Sequence, residues 1–533
     1  MAVIAAGAAL AAAVCPAEAN AARRRPALLG AHLDARGGAR SRVVLRWSEP
    51  VRIRHSRRVL FLAATGSRRH GRLLSRRPGR VQTFLARGAE PVQEVQVLAG
   101  AGHGRDGATL PATLILSRAP VPAPAPATSA GPLSGGADPP PLAFAFLDSV
   151  GVNIHAGYLD TSYGNAGALE HGLVGLGVHH VRDGACVSCS QQRTVLLELA
   201  RAGITTDFVM NGPGGSESQA SMVDLLDGPM NSAVASIEGP NEYDSSSDPN
   251  WAANLRSYQQ ELYRRAKAAP HLVGIPVLGP SLAHPGDAAR LGGLSAWLDL
   301  GNLHPYPGGH VPDANLAAQE QAETSVAGAK PEAVTETGYT TATASTSDSG
   351  VVSDSAGAAY VPRAFLDDFR AGIARTYLYE LLDEKPDPAD LNPEQHYGLL
   401  RADYSHKPAY NTLAALLSAV GPTQAAPITR AALDYRTVAG PSDLRELLLQ
   451  TGTGTYALVL WRNVSVWDPT LRRNAAPAAE PVTLHFGAQI SSATERSLDA
   501  PAPGAPDQPD PAGNLTLTLA GMPVVVELRR GPS

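Results

Sequence analysis

The chain has 533 residues, 44% of them hydrophobic and 17% charged, with 52 Gly and 44 Pro. That composition is globular and loop-rich, and the length exceeds what one ordinary core supports, so it implies roughly three domains of about 150 residues or one large barrel with attachments. The net charge of −5 conceals an asymmetry: residues 23–118 hold 20 Arg against five acidic residues, about +15, and the chain from 119 onward carries about −19.

Residues 1–21 pair an apolar, alanine-rich run with small residues that suit cleavage after Ala19 or Ala21, which predicts a signal peptide and a secreted or cell-surface, extracytoplasmic bacterial protein. The run is too short for a membrane anchor. Cys15 would leave with it, and Cys186 and Cys189 in CVSC remain as candidates for a small local disulfide in an oxidising compartment. Two cysteines without a matching Cys or His cluster do not make a zinc site, and no metal or cofactor is expected.

Residues 22–119 carry short apolar runs, VVLRW, RVLFLAAT, RVQTFLA, EVQVLAG and ATLILS, between Gly-, Pro- and Arg-rich turns. They predict a small all-β, Ig-like sandwich module. Its basic charge has two readings. It can hold an anionic cell-wall polymer, or it decorates a solvated β surface in an arginine-rich proteome. Nucleic acid is not expected, because no recognition helix or aromatic-studded basic motif accompanies the charge. The stretch 120–141, mostly Pro, Ala, Gly and Ser, predicts an extended linker.

From 142 to 421 the texture is that of an α/β fold. FLDSVGVNIH, HHVRDG, TTDFVMN, ASIEGPNE, GIPVLGPS, LDLGNLHPY, EAVTETGY and ARTYLYELLD read as eight strands. Segments such as RTVLLELARAG and NLRSYQQELYRRAKAA between them have apolar residues at three- and four-residue spacing. Eight strand-then-helix units predict a (β/α)8 TIM barrel whose last helix is KPAYNTLAALLSAV. Residues 422–533 return to β texture (LRELLLQTG, TYALVLWRN, PVTLHFG, LTLTLAG, PVVVELR), which predicts a C-terminal β-sandwich with APAPGAPDQPDPAG as a long internal loop.

The fourth strand runs into GPNE and the seventh into VTETGY, so Glu242 and Glu336, 94 positions apart, both sit where functional residues of such barrels gather, at the C-terminal ends of strands. Alone, the NE dipeptide is equally a turn. Two carboxylates across one sugar ring are what glycoside hydrolysis requires: one holds a proton for the departing oxygen, and the other attacks the anomeric carbon or activates water. The expected substrate is an oligo- or polysaccharide or other glycoside. Glu238, four positions before Glu242, points to the same side by strand parity and is either a deeper barrel residue or the true acid. Asn153 and His155 at the first strand and Asn211 at the third are candidate sugar contacts.

Asn241-Glu242 in GPNE, Glu336 in VTETGY, Arg182 in VRDG, His304 and Tyr306 in HPYP and the run YELLDE together resemble the large clan of retaining glycoside hydrolases, over about residues 143 to 420. In that clan the acid/base follows an asparagine at the end of strand four and the nucleophile ends strand seven. The tail resembles the sandwiches of the β-xylosidase, iduronidase and glucuronidase groups. The resemblance implies that Glu242 is the acid/base, Glu336 the nucleophile, and Asn241 a partner of the sugar 2-hydroxyl. It further implies that Arg182 and Tyr306 keep Glu336 ionised and oriented, while His304 shapes the same pocket. At strand eight, where a tryptophan platform is usual, this chain has Tyr377, Tyr379 and Glu380. An exported retaining β-glycosidase is therefore expected. The competing expectation is an inactive carbohydrate-binding or wall-associated protein on the same scaffold, which the presence of both carboxylates and their supporting Asn, Arg and Tyr disfavours.

Overall fold

The computed structural model describes strands within residues 28–114 and residues 139–531, apart from 347–349, 422–427, 488–489, 501–505 and 508. The expected leader and the linker core lie outside the described residues. The chain divides into two units, one within residues 10–130 and one from 131 to 533.

Among the described residues the first unit contains eight strands of one sheet, paired antiparallel. The 14-residue strand Arg40–Ile53 pairs with Leu28–Ala35, with Gly79–Arg87 and, past a register break between Arg46 and Val51, with Val92–Gly104. Such breaks let one long strand serve different neighbours along its length.

The second unit is built on eight parallel strands: β1 (Val150–Asn153), β2 (His180–Gly184), β3 (Thr205–Val209), β4 (Val234–Glu238), β5 (Val277–Leu278), β6 (Gly301–Leu303), β7 (Glu332–Thr337) and β8 (Thr376–Leu378). Each pairs with the next, β8 returns to β1, and β5 meets β6 through the single bridge Leu278 to Leu300, so the sheet closes into the predicted barrel. Helices cover it in the predicted order. In the helix Trp251–Ala268 the buried positions are Trp251, Leu255, Gln259, Leu262 and Ala266, the three- and four-residue spacing of one helical face. Gln259 is buried there because its amide donates to Leu278 O and Trp297 O, tying the helix to the loosest part of the barrel. Ser218 and Ser353 cap the helices Gln219–Asp227 and Asp354–Ala371 through their hydroxyls.

The first expected strand needs correction at its start. Ala143–Asp148 is a short helix that buries Ala143, Phe146 and Leu147, and the strand begins only at Val150. In the C-terminal region, a three-stranded sheet (Tyr435–Ala439, Glu480–Phe486, Asn514–Leu519) and a five-stranded sheet containing Leu444–Gly452, Thr455–Arg462 and Val524–Arg530 share one apolar core. Tyr435–Ala439 and Ile490–Ser497 are strands that apolar patterning does not reveal. Ile490–Ser497 buries only Ile490 and Ala493 and owes its conformation to pairing with Val524–Arg530. The expected long loop contains a two-residue strand, Pro506–Asp507.

The sandwich packs on the barrel through the helix Asp354–Ala371, whose residues 356 to 368 are all buried because it is covered on both sides. Arg363, with no exposed surface, donates to the carbonyls of Val464 and Gly521; Trp461 Nε1 donates to Asp367, and Arg445 pairs with Asp367 and Asp313. Among the described residues, no helix is long and apolar enough to cross a membrane.

Candidate active site

The C-terminal mouth of the barrel is organised around Arg182, which points inward from β2. A guanidinium has five N–H donors, and here five acceptors meet them. Nε and Nη2 form a fork with Glu238 at 2.6 and 2.7 Å; Nη1 donates to Glu336 Oε1 at 2.6 Å and Asn153 Oδ1 at 2.9 Å; Nη2 also donates to Asn241 Oδ1 at 2.7 Å. Burial alone would favour loss of the guanidinium proton, but the charges of Glu238 and Glu336 outweigh it and hold the cation.

Glu336, near the end of β7 and 3% exposed, has both oxygens engaged, Oε1 by Arg182 and Oε2 by the Tyr306 hydroxyl at 2.8 Å. Burial raises its pKa, yet His304, Arg182 and the two donated hydrogen bonds prevail and hold the carboxyl below the ordinary glutamate value. The phenol of Tyr306 is held protonated by burial and by the same carboxylate.

Glu242 lies four residues beyond β4, in a left-handed backbone conformation (φ 44°). That conformation turns the chain back over the mouth, and the Glu242 N–H donates to Ser281 Oγ at 3.1 Å. Its Oε1 lies 2.8 Å from His304 Nδ1. The rest of the His304 environment sets its tautomer. Asn302 donates its amide N–H groups to Glu238 and to Gly279 O, so its Oδ1 accepts the Thr335 hydroxyl at 2.6 Å. Thr335 Oγ1 therefore accepts from His304 Nε2–H at 2.9 Å, which leaves Nδ1 to share one proton with Glu242. Burial opposes charge on His304, but Glu336 and Glu242 raise its pKa above the usual imidazole value.

One oxygen each of Glu242 and Glu336 and a ring nitrogen of His304 lie within 4.8 Å of one another. These donor types also suit a metal. The guanidinium of Arg182, 2.6 Å from Glu336, occupies the electrostatic place a cation would take, so the set fits a proton-handling site better than a metal centre. Asn241 receives Arg182 and Ser281 on the same Oδ1, and its Nδ2 is the donor directed elsewhere.

One wall of the mouth is aromatic. Tyr397 lies edge-on to Tyr306 and to Tyr379, with centroids 6.2 and 5.4 Å away. Tyr379 Oη is 3.3 Å from His155 Nε2, and the His155 ring stacks on Tyr158. Burial lowers the His155 pKa to about 4, so it is a neutral imidazole near pH 7. Glu380 is fully buried and accepts from Tyr163 at 2.7 Å, and burial raises its pKa well above the ordinary glutamate value. Tyr377 points into the barrel, against Gly151, where any Cβ would lie 2.4 Å from the ring.

The structure thus brings together Glu242, Glu336, Asn241, Arg182, His304 and Tyr306, with His155 and Tyr379 at the adjoining wall. Asn153 and Glu238 sit beneath, as supports of Arg182. Asn211 stands apart: it is half-buried at the end of β3, and among the described residues no hydrogen bond joins its side chain to this set. Sequence reasoning missed Asn302, Thr335, Ser281 and Asp207. Strand parity carried a signal for one of them, since Asn302 and His304 are two positions apart. Asp207 is the register neighbour of Arg182 and has no exposed surface. Burial first, and then the charge of Glu238, raise its pKa to about 8. Beside β2, Cys186 and Cys189 form the expected local disulfide, in a loop whose Val187 and Ser188 N–H groups are held by Glu217.

No protein-family model matches this chain, and no curated protein matches it. Solved structures do. A family 39 glycoside hydrolase from the gut symbiont Bacteroides cellulosilyticus WH2 is similar over 94% of this chain and 98% of its own, at 14% identity and a TM-score of 0.52. A family 39 β-xylosidase from Caulobacter crescentus covers 74% of this chain and 98% of its own (14% identity, TM-score 0.48), and a family 39 enzyme from Xanthomonas axonopodis pv. citri covers 74% and 96% (14%, 0.47). The first of these likenesses shows the fold: a (β/α)8 barrel carrying a C-terminal sandwich.

Proposed function

We propose that the chain is an exported retaining β-glycosidase in which Glu336 is the nucleophile and Glu242 the acid/base. The observation that carries this reading is the approach of the two carboxylates within 4.8 Å. It agrees with the separation of about 5 Å used for direct attack and is shorter than the ~6.5–9.5 Å that leaves room for a water in inverting enzymes. Glu336 attacks the anomeric carbon as the glycosidic C–O bond breaks, and the proton of Glu242 passes to the departing oxygen. Glu242, now a carboxylate, takes a proton from water, whose oxygen displaces Glu336 and releases the sugar with retained configuration. The different surroundings divide the roles. Glu336 is held ionised by Arg182 and Tyr306, while Glu242 shares a proton with His304. Asn241 Nδ2 is the donor for the sugar 2-hydroxyl, and the neutral His155 with Tyr379 contacts hydroxyls farther round the ring.

The Cys186–Cys189 disulfide supports an extracytoplasmic location, and the excess of Arg in residues 23–118 supports a module that holds an anionic wall polymer. Retention on isolated cell wall that survives molar salt would remove the electrostatic part of that reading.

Aryl β-xylosides, glucosides, glucuronides, galactosides and mannosides test the activity. Glu336→Gln should abolish turnover of whichever is accepted. Glu242→Gln should be severe, about 10²–10⁴-fold, for poor leaving groups and mild for activated aryl glycosides, with azide restoring rate. Azide rescue of the Glu336 variant with inverted product would reverse the two roles. Sugar binding without turnover across the whole panel would favour an inactive carbohydrate-binding scaffold.

A further inference from the structure

The loops that follow β7 and β8, the strands of Glu336 and Tyr379, enclose a second cavity on the same face of the barrel, of about 690 Å³. It begins where the tyrosine wall ends: His396 lines it, and the next residue, Tyr397, faces Tyr306 and Tyr379. The volume lies within the range of about 300–1,000 Å³ typical of ligand sites.

Its chemistry is polar, with five Asp beside Lys385, Arg401, Lys407 and His396. Lys407 is bound to Asp383 at 2.7 Å, Arg401 to Asp354 at 2.6 Å, and Asp390 accepts from Thr343 Oγ1 and the Ala344 N–H. A cleft built for a bare anion would leave a cation fork turned inward, and one built for a cation would leave converging carboxylates. Lys385 is paired with Asp160, Asp387 and Asp390 both approach His396, and Asp403 accepts from Ser405, so most charges are already engaged and the lone pairs and N–H groups that remain offer acceptors and donors side by side, which suits a sugar's hydroxyl groups. Gln395 also lines the cleft, where its amide interacts with Glu384.

We propose that this cleft is a carbohydrate subsite for the neutral, hydroxyl-rich part of an oligosaccharide beyond the bond cleaved at Glu336. The proposal rests on the glycosidase reading and adds to it that the natural substrate is longer than a disaccharide. Binding there comes from hydrogen bonds to Gln395, Lys385 and the paired acids, not from aromatic stacking, since among the described residues no Trp, Tyr or Phe lines the cleft.

The test is titration of Glu336→Gln, which leaves ligand intact, with xylotetraose, cellotetraose, laminaritetraose and a galacturonate tetramer, each beside its monosaccharide. At least one neutral tetraose should bind about tenfold more tightly than its monosaccharide, and adding Lys385→Ala and Gln395→Ala should remove most of that gain while leaving monosaccharide affinity and thermal stability unchanged. In the wild-type background the same two substitutions should raise KM for the tetraose about fivefold and leave turnover of an aryl monoglycoside as it was. No gain from length, a gain that survives both substitutions, or preference for the galacturonate tetramer would each overturn the proposal. Failure of the glycosidase reading shows separately, as wild-type protein that binds sugars but turns over no aryl glycoside.

Discussion

The barrel mouth and the junction between barrel and sandwich each bury an arginine, and the contrast shows how the same residue serves two purposes. Arg182 is surrounded by the carboxylates of Glu238 and Glu336 and the amide oxygens of Asn153 and Asn241, and its proton is held firmly. Arg363 meets the carbonyls of Val464 and Gly521 and the face of Tyr360; burial dominates, and its pKa is lowered. A carbonyl dipole anchors a guanidinium without needing its charge, whereas a carboxylate whose ionisation matters needs the full counter-charge beside it. One arginine sets a protonation state, and the other joins two layers.

Replacing each arginine separates the two purposes. Arg182→Lys keeps the charge but offers three donors where five acceptors wait, and a point charge cannot form the fork with Glu238. Turnover should fall on the order of 10³-fold, about 4 kcal/mol of transition-state stabilisation. A variant within tenfold of wild type would show that orientation by Arg182 is dispensable. Arg363→Met should leave kcat and KM intact at 25 °C while lowering stability, because two buried carbonyls lose their donors at about 1–3 kcal/mol each. A drop in kcat measured well below the melting transition would break the distinction.

Tyr306→Phe sharpens the account of Glu336. A hydrogen bond to a charged group contributes about 1.5–3 kcal/mol, so activity should fall roughly 10–100-fold. Because the lost hydroxyl favours the ionised carboxyl, the pKa of Glu336 should rise and the acid limb of the pH–kcat/KM profile should move to higher pH; an unmoved limb would mean that Tyr306 only packs. Folding is linked to the same group. Its folded pKa lies below the unfolded one, so its contribution to stability is present above the unfolded value and is lost as pH falls through the folded value.

Asp207 has the opposite sign and the smallest expected effect on turnover. With a folded pKa near 8, it binds a proton in the native state that the unfolded chain has released above about pH 4, so its contribution is full below pH 4 and declines as pH rises toward 8. Asp207→Asn, which copies the neutral form, should remove this component from the pH dependence of the melting temperature. Activity near pH 6 should stay within about threefold. A large loss of activity would mean that Asp207 acts as a charge beneath Arg182.

The sequence by itself determined the eight strands, the helix faces and the identity of the two carboxylates, because these follow from local periodicity and from the rule that barrel chemistry gathers at strand C-termini. Arg182, His304 and Tyr306, each near a strand end, were legible through the resemblance to the retaining clan. The polar strands Tyr435–Ala439 and Ile490–Ser497 were not legible, because their backbones are held by partners distant in sequence. Nor was the tautomer of His304, which passes from Glu238 through Asn302 and Thr335 across three strands. The short helix at Ala143–Asp148 and the raised pKa values of Asp207 and Glu380 likewise come from packing: desolvation depends on what surrounds a carboxyl in space, and a linear chain carries no record of that until strands from its whole length have closed around it.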